Sequence, residues 1–436
     1  MLTQIMYFYT FIFVIYIFLS YNHFMDFKEH LYQSLQKEEV DLLINSFEGE
    51  DKHAALLNLE KISDEEFLKE FPNVTPHPVV KHAYLYSKDE YQLGKHIYHE
   101  LGYYYLQEPS AMVVSSLIDF KEDDLVLDMC AAPGGKTIQA SFKMHNKGLI
   151  VSNDLSFPRC GLISNNVERL GIKNVIIINN DLSKIYHKYL NTFDKIILDA
   201  PCSGSGMFRK DDKMINDWSI NKVLKFQEIQ KQLIDIDYQM LKPGGLLSYS
   251  TCSYSKEEDE DVIQYLLDKS DAELVNTDSL KWGYINPIKP IGVRLMPSHF
   301  AGEGQYICQI RKPGNSSKTS FKKETKIFND FEFVAENSIN LPLANIYRFG
   351  VKVGEKRKDN FRYDLHYARI LKSNDMDSIE LSLEELKKYL TGEQINKPNP
   401  YKGFVLLTYK NNAVDIAKSD TRVIKNYYPK GLRKKF

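Results

Sequence analysis

"LVLDMCAAPGGKT", residues 125–137, passes from a short apolar run through small residues into a glycine pair that opens a helical pattern. In open α/β sheets ligands bind outside the carboxyl ends of the strands, and small residues in such a turn permit close backbone approach. The turn is not a GxGxxG dinucleotide turn. It is not a P-loop either, because GxxxxGK[ST] requires glycine where Cys130 stands. Similar apolar runs follow at "LIVSND" (149–154), "NVIIINND" (174–181), "FDKIILDAP" (193–201), "GGLLSYSTCS" (244–253) and "QYICQIRK" (305–312). Their alternation with helical segments predicts an α/β fold: a mostly parallel sheet with crossover helices, covered on both faces.

Strand ends become candidate site positions. The second, third and fourth runs end in Asp154, Asp181 and Asp199. A carboxylate at the second strand end suits a ribose diol. One such acid alone could equally be a helix cap, but three outline a pocket for an adenosine-containing ligand without a pyrophosphate clamp. S-adenosylmethionine fits that description better than NAD or ATP.

Two thiols sit at neighbouring strand ends, Cys202 in "DAPCSGSGMFRK" (199–210) and Cys252 in "YSTCSYS" (249–255). A lone strand-end cysteine is more often a small buried residue. Paired beside a methyl donor, the two point to nucleophilic catalysis on a pyrimidine. C5 of cytosine is a poor nucleophile until a thiolate adds at C6; a base must later remove the C5 proton. Asp199, three residues before Cys202, could stabilise the charge that develops at N3. These residues leave open which thiol attacks. The acidic block "KEEDED" after the second thiol reads as the cap of the next helix.

With 436 residues the chain suggests two to four domains, and a net charge of −2 offers no global basic field. Cysteines 130, 160, 202, 252 and 308 form no CxxC pair, which argues against a disulfide framework or zinc site and for a reducing, cytoplasmic location. The histidines show no ligand spacing, so no metal is expected. Residues 5–19, "IMYFYTFIFVIYIFL", are borderline for a membrane span and lack a basic n-region. We expect residues 1–24 to be an over-extended start, with the protein beginning near Met25.

From about 26 to 100 the pattern is helical, with a capping-box-like Ser63–Glu66 pair. "KPGNSSKTSFKKETK" (312–326) reads as a linker. Short strands and one helix, around "LSLEELKKYL", follow. The stretch 418–436 holds seven Lys/Arg against one acid, with Tyr427 and Tyr428 between them. That mixture suits phosphate neutralisation with base stacking.

"DMCAAPGGKT", "DAPCSGSGMFRKD" and "YSTCSYSKEED" resemble the motifs of the NOL1/NOP2/Sun (Sun/Fmu-type) RNA cytosine-5 methyltransferases. "YYYLQEPSAM" (103–112) and "VRLMPSHFAGEGQYICQIRK" are similar to flanking parts of that family. "KNYYPKGLRKK" resembles the PUA-like tail of its bacterial small-subunit rRNA methyltransferase F subgroup. The resemblance implies a class I, Rossmann-like methyltransferase with a mostly parallel seven-stranded sheet. Its segments would be an N-terminal helical extension (25–100), a methyltransferase domain (101–312), a linker (313–330) and a C-terminal α+β PUA-like RNA-binding region (331–436).

It also implies roles. Cys252 would be the nucleophile, Cys202 would serve release, and Asp199 would stabilise N3. Cys130, Ala131, Ala132, Pro133, Gly134, Gly135 and Lys136, with Asp154, Asp181 and Asp199, would hold S-adenosylmethionine. Arg209, Lys210, Lys425, Lys430 and Arg433 are the candidate RNA contacts, and the target base must leave its stack. We expect a monomer acting on RNA, with small-subunit rRNA as substrate and neither DNA nor membrane as partner. The alternatives are a tRNA cytosine-5 methyltransferase and a non-catalytic RNA-binding ribosome-assembly factor.

Overall fold

The computed structural model describes residues 25–436 apart from 51, 210–212, 276–282, 316, 318, 329, 340, 358 and 359. The apolar segment 1–24 and Lys210 lie outside the described residues. Among the described residues no helix is long and apolar enough to cross a membrane. The chain divides into two compact units, each built from separate stretches. One takes the residues up to His53, Glu108–Ile118 and Leu182–Ser317; the other takes Ala54–Gln107, Asp119–Asp181 and Lys318–Phe436.

In the first unit, Phe193–Asp199 pairs in parallel with Leu241–Thr251, and Gln305–Arg311 runs antiparallel to the latter. Two short strands, Glu273–Val275 and Val293–Leu295, also pair antiparallel with Gln305–Arg311. Ile196, Ile197, Leu198, Leu247 and Ile307 are buried, which is why these runs are apolar without alternation. The crossover between the parallel strands is the helix Ile220–Met240, started by Ser219, whose side chain accepts from the Lys222 amide. An N-terminal helical segment (25–32) and the helix Lys37–Asn45 bury Phe27, Leu31, Val40 and Leu43 with Phe208, Trp218 and Tyr254. Phe27 meets Phe208 and Trp218 edge-on at 5.0 and 5.3 Å. Each such buried ring contributes about 1.5–3 kcal/mol, enough to hold these helices on the loop that follows Cys202.

In the second unit, Leu125–Asp128, Leu149–Asn153 and Val175–Ile178 are parallel neighbours. The helices Gly135–Lys143 and Phe157–Leu170 follow the first two, and the second helix stops at Gly171, whose φ of 72° suits a left-handed C-terminal residue. Ile346–Phe349 adds an antiparallel strand beside Val175–Ile178. The N-terminal helices are present, Asp64–Glu70 with the full capping box at Ser63 and Glu66. They are joined by a small sheet that helical periodicity hid: Thr75–Pro76, Ala83–Tyr86, His53–Leu57 and Tyr104–Gln107. Those strands are two to five residues long, too short for a period-2 signal.

The C-terminal stretch forms a four-stranded and a five-stranded sheet. Part of the polar run read as a linker, Lys322–Phe328, is a strand paired with Phe331–Ser338. It lies at the edge of its sheet, where lysines are favoured because they discourage further pairing. Among the described residues two α-helices occur here rather than one, Leu365–Ile370 and the capping-box helix Leu383–Thr391. Residues 55–104 and 365–428 share one core, with Phe67, Tyr104, Tyr389 and Tyr428 among its buried rings.

Candidate active site

Phe193–Asp199 and Leu241–Thr251 end side by side, with Asp199 opposite Ser250 in parallel register. The next residues of both strands form two loops, one bearing Cys202 and the other Cys252. Their sulfurs are 2.9 Å apart and both residues are half-buried. They are free cysteines. Close approach of the loops depends on Gly206, whose amide donates to the Cys252 carbonyl at 2.7 Å; a Cβ there would sit 2.6 Å from that same oxygen. The Cys202 thiol is held well above its ordinary range by its hydrogen bond to Cys252 and by burial. Asp199 accepts from Ser250 Oγ at 2.6 Å and from Gln305 Nε2 at 2.9 Å, so its carboxyl is fixed at the strand end.

The acidic block does stand at the start of the next helix, with Asp259 at its N-cap position and Glu260 and Asp261 in its first turn, but much of it is buried. The helix begins at Glu260, but Glu258, Asp259 and Glu260 are all fully buried. Glu258 accepts from the Ser203 amide (2.8 Å), Ser203 Oγ (2.5 Å), Ser253 Oγ (2.7 Å) and Gln230 Nε2 (3.0 Å). Burial pushes its carboxyl upward against those bonds. Asp259 accepts from Thr251 Oγ1 at 2.6 Å and from Arg294 Nη2 at 2.9 Å, and Arg294 also grips Glu260 with both terminal nitrogens. Sequence reading missed Glu258 and Arg294 because acids after a strand look like helix caps. The available signal was the density of five consecutive acids, residues 257–261, more than one N-terminus needs.

The second unit carries the other predicted set. Cys130 to Lys136 link the strand Leu125–Asp128 to the helix Gly135–Lys143. Gly134 has φ 109°, which favours glycine, and a Cβ on Gly135 would lie 2.7 Å from Gln107 Nε2 and displace that side-chain amide. Arg159 Nη2 donates to the Ala132 carbonyl at 3.0 Å and Asn166 Nδ2 to the Pro133 carbonyl at 3.1 Å. The buried Asp154 follows the strand Leu149–Asn153 directly, accepting from the Ala132 amide at 3.3 Å and the Ser156 amide at 2.9 Å. Asn153 steadies the same corner through Met129 and Asn180. Asp181 stands three residues beyond the strand Val175–Ile178 and is half-buried. A turn of mostly small residues beside a buried strand-end carboxylate fits an adenosyl group with a ribose diol.

The candidate RNA contacts are dispersed. Arg209 has a side chain 8% exposed beside Glu303 at 3.6 Å, and its guanidinium donates to the carbonyls of Gly302, Gly49 and Glu50. That arrangement clamps protein segments and leaves no open cation for phosphate. Lys425 and Lys430 are exposed, whereas Arg433 is half-buried and donates to the Tyr428 carbonyl and Asn426. Tyr428 is buried, its hydroxyl donating to Glu100 at 2.5 Å, so it is not a stacking platform. Lys434 reaches the same Glu100 at 2.9 Å. The tail is therefore pinned to the body of its unit.

Comparison with known proteins fits this arrangement. The family model "16S rRNA methyltransferase RsmB/F" matches residues 115–311, the N-terminal domain of 16S rRNA methyltransferase RsmF matches 25–109, and the methyltransferase RsmF PUA domain matches 377–434. Ribosomal RNA small subunit methyltransferase F of Vibrio vulnificus is 30% identical over 426 residues, covering 86% of this chain and 90% of that protein. The chain belongs to the 16S rRNA methyltransferase RsmB/F family. The protein of the same name from Psychromonas ingrahamii is 32% identical over 394 residues, 78% of this chain and 81% of its own. A methyltransferase homologue from Pyrococcus horikoshii superposes with a TM-score of 0.57 at 32% identity, covering 65% of this chain and 93% of that one. NSun6 from the same organism supports the fold alone, at TM-score 0.61, 22% identity and coverage of 66% and 98%. The methyltransferase fold, a mixed α/β sheet with a C-terminal PUA domain, is thus established, and S-adenosylmethionine is the cofactor of the family.

Proposed function

We propose that this protein methylates C5 of a cytosine in small-subunit rRNA through a covalent bond between Cys252 and C6 of the base. The observation that carries the reading is the pair of free sulfurs 2.9 Å apart at adjacent strand ends, with the Asp199 carboxyl on one of those strands. The rRNA substrate is supported by the names of the relatives and the PUA match.

When bound, S-adenosylmethionine supplies an electrophilic methyl group, and the Cys130–Lys136 turn with Asp154 and Asp181 are the residues assigned to hold it. Cys252 Sγ adds to C6, and the electron pair of the C5–C6 bond moves to C5, which becomes nucleophilic. Asp199 stabilises the charge that develops at N3. Cys202, its own proton released to solvent once Cys252 is bound to C6, then takes the C5 proton, the C5–C6 double bond reforms and Cys252 leaves. The two roles are those the family resemblance implies, and the raised Cys202 thiol, hydrogen-bonded to Cys252 and buried, supports Cys202 acting second. Once Cys252 is a thioether, it no longer raises its neighbour, and Cys202 becomes a competent base. General-base steps of this kind typically contribute about 10²–10⁴-fold. Lys425 and Lys430 are the exposed cations assigned to RNA phosphate. The reaction belongs in the bacterial cytoplasm.

Bisulfite sequencing of rRNA and tRNA from a deletion strain tests the substrate. A 16S cytosine should lose protection and regain it on complementation. No change at any rRNA cytosine overturns the rRNA assignment, and loss at a tRNA cytosine instead establishes the alternative substrate.

A further inference from the structure

We propose that Glu258 is a positioning residue that sets the distance and orientation between the Cys202 and Cys252 sulfurs. This rests on reading those thiols as the reacting pair. Glu258 has no exposed surface and touches neither sulfur through a hydrogen bond, yet it holds the residue immediately after each cysteine. One oxygen accepts from the Ser203 amide; the other accepts from both Ser203 Oγ and Ser253 Oγ. Gln230, itself fully buried on the crossover helix, donates to Glu258 at 3.0 Å and to the Pro201 carbonyl at 2.9 Å. The carboxylate and the amide thereby bracket Cys202 on both sides, at Pro201 and Ser203.

The chemistry explains why a carboxylate serves here. Each loop presents donors, the Ser203 amide and two hydroxyls, within reach of one point. Only a group with two acceptor oxygens and several lone pairs can take all of them together. A hydroxyl or amide in its place would leave one loop unanchored. Asp259 repeats the device one residue later, holding Thr251 on the other side of Cys252. Consecutive acids thus fasten the residues before and after the Cys252 thiol, while Arg294 holds the second and third acids in place. Three consecutive acids, Glu258 to Glu260, therefore form an internal brace for two loops that also meet through their cysteines and through the Ser205 hydroxyl, which accepts from the Tyr254 amide.

The test reads sulfur placement without RNA. Diamide takes two electrons and two protons from the pair and becomes the hydrazine, while the S–S bond forms. In the full chain, closure of the Cys202–Cys252 bridge is followed by mass spectrometry after alkylation of remaining thiols. Glu258→Ala should slow closure at least tenfold, and Glu258→Gln, which keeps the shape but only one acceptor oxygen and so anchors one loop, should recover only part of the rate. Ile263→Ala, a buried change in the helix that follows Glu258, is the control for lost stability and should close within about twofold of the parent. Closure of Glu258→Ala at the parental rate overturns the proposal, as does equal slowing in Ile263→Ala. If Glu258→Ala does not fold, the double variant Ser203→Ala/Ser253→Ala carries the same test, with several-fold slowing expected and an unchanged rate overturning it. Because diamide closure needs no substrate, an rRNA that proves unmethylated refutes the proposed function and leaves this result standing.

Discussion

Arg294→Met removes the only cation that the structure shows against Asp259 and Glu260. Arg294 is 1% exposed, and its guanidinium makes three charge-assisted bonds to two carboxylates that have no exposed surface. Methionine fills much of the arginine stem's volume, so the loss is electrostatic rather than a cavity. Deleting one partner of a buried ion pair costs about 3–5 kcal/mol, because the remaining charge has neither water nor a counterion. Two carboxylates are left behind here, which places the cost at the upper end near pH 8. Burial, with Glu260 beside it, already holds the Asp259 carboxyl well above its ordinary value despite Arg294. Without the guanidinium it rises further. A carboxyl whose folded pKa exceeds its unfolded value favours the folded state below the unfolded pKa and loses that advantage as pH rises. The variant's deficit should therefore shrink from pH 8 to pH 5. Urea denaturation followed by circular dichroism at both values reads it. A cost below about 1 kcal/mol, or an equal cost at both pH values, refutes a buried carboxylate brace that depends on one cation.

Asp415, buried on the strand Asn412–Asp420 of the five-stranded sheet, is pushed up to about 6 by burial against an ordinary value of 3.8. That difference of about two units corresponds to about 3 kcal/mol lost as pH rises through 4–6. Asp415→Asn should raise stability at pH 8 by about 1–3 kcal/mol and change little at pH 4, part of the gain being offset by a lost acceptor for Tyr389 or Ile416. Destabilisation at pH 8 in urea titrations contradicts this. Asp154→Ala removes the carboxylate assigned to the ribose and an acceptor for the Ala132 amide. Charged hydrogen bonds contribute about 1.5–3 kcal/mol, so calorimetry should show S-adenosylhomocysteine binding weakened about ten- to hundredfold. Unchanged affinity removes Asp154 from the cofactor site.

The strand-end map was legible because both faces of these strands are buried. Near-continuous Ile, Leu and Val marked them, and the residues that follow had to be the turns where ligands bind. The Ser63 cap was legible for a local reason: its partner is three residues away. Contacts distant in sequence were not. Arg294 lies 34 residues from Glu260, and Glu258 lies 55 from Ser203. A run of acids seen alone resembles a solvated helix start, and only the fold reveals donors converging on it. The same blindness applies to Tyr428, which composition placed on a basic, RNA-facing tail although its hydroxyl meets Glu100, 328 residues earlier. Arg209 looked like an exposed cation because it follows a glycine-rich loop, yet the carbonyls that hold it come from residues 49, 50 and 302.

The central claim is that Cys252 attacks and Cys202 releases. Cys202→Ala, purified from cells and run on denaturing gels before and after ribonuclease, tests it most directly. RNA should be covalently attached to Cys202→Ala, with the attachment mapped to Cys252 by mass spectrometry and absent from Cys202→Ala/Cys252→Ala. Attachment that persists in the double variant, or that accumulates when Cys252 alone is replaced, contradicts it.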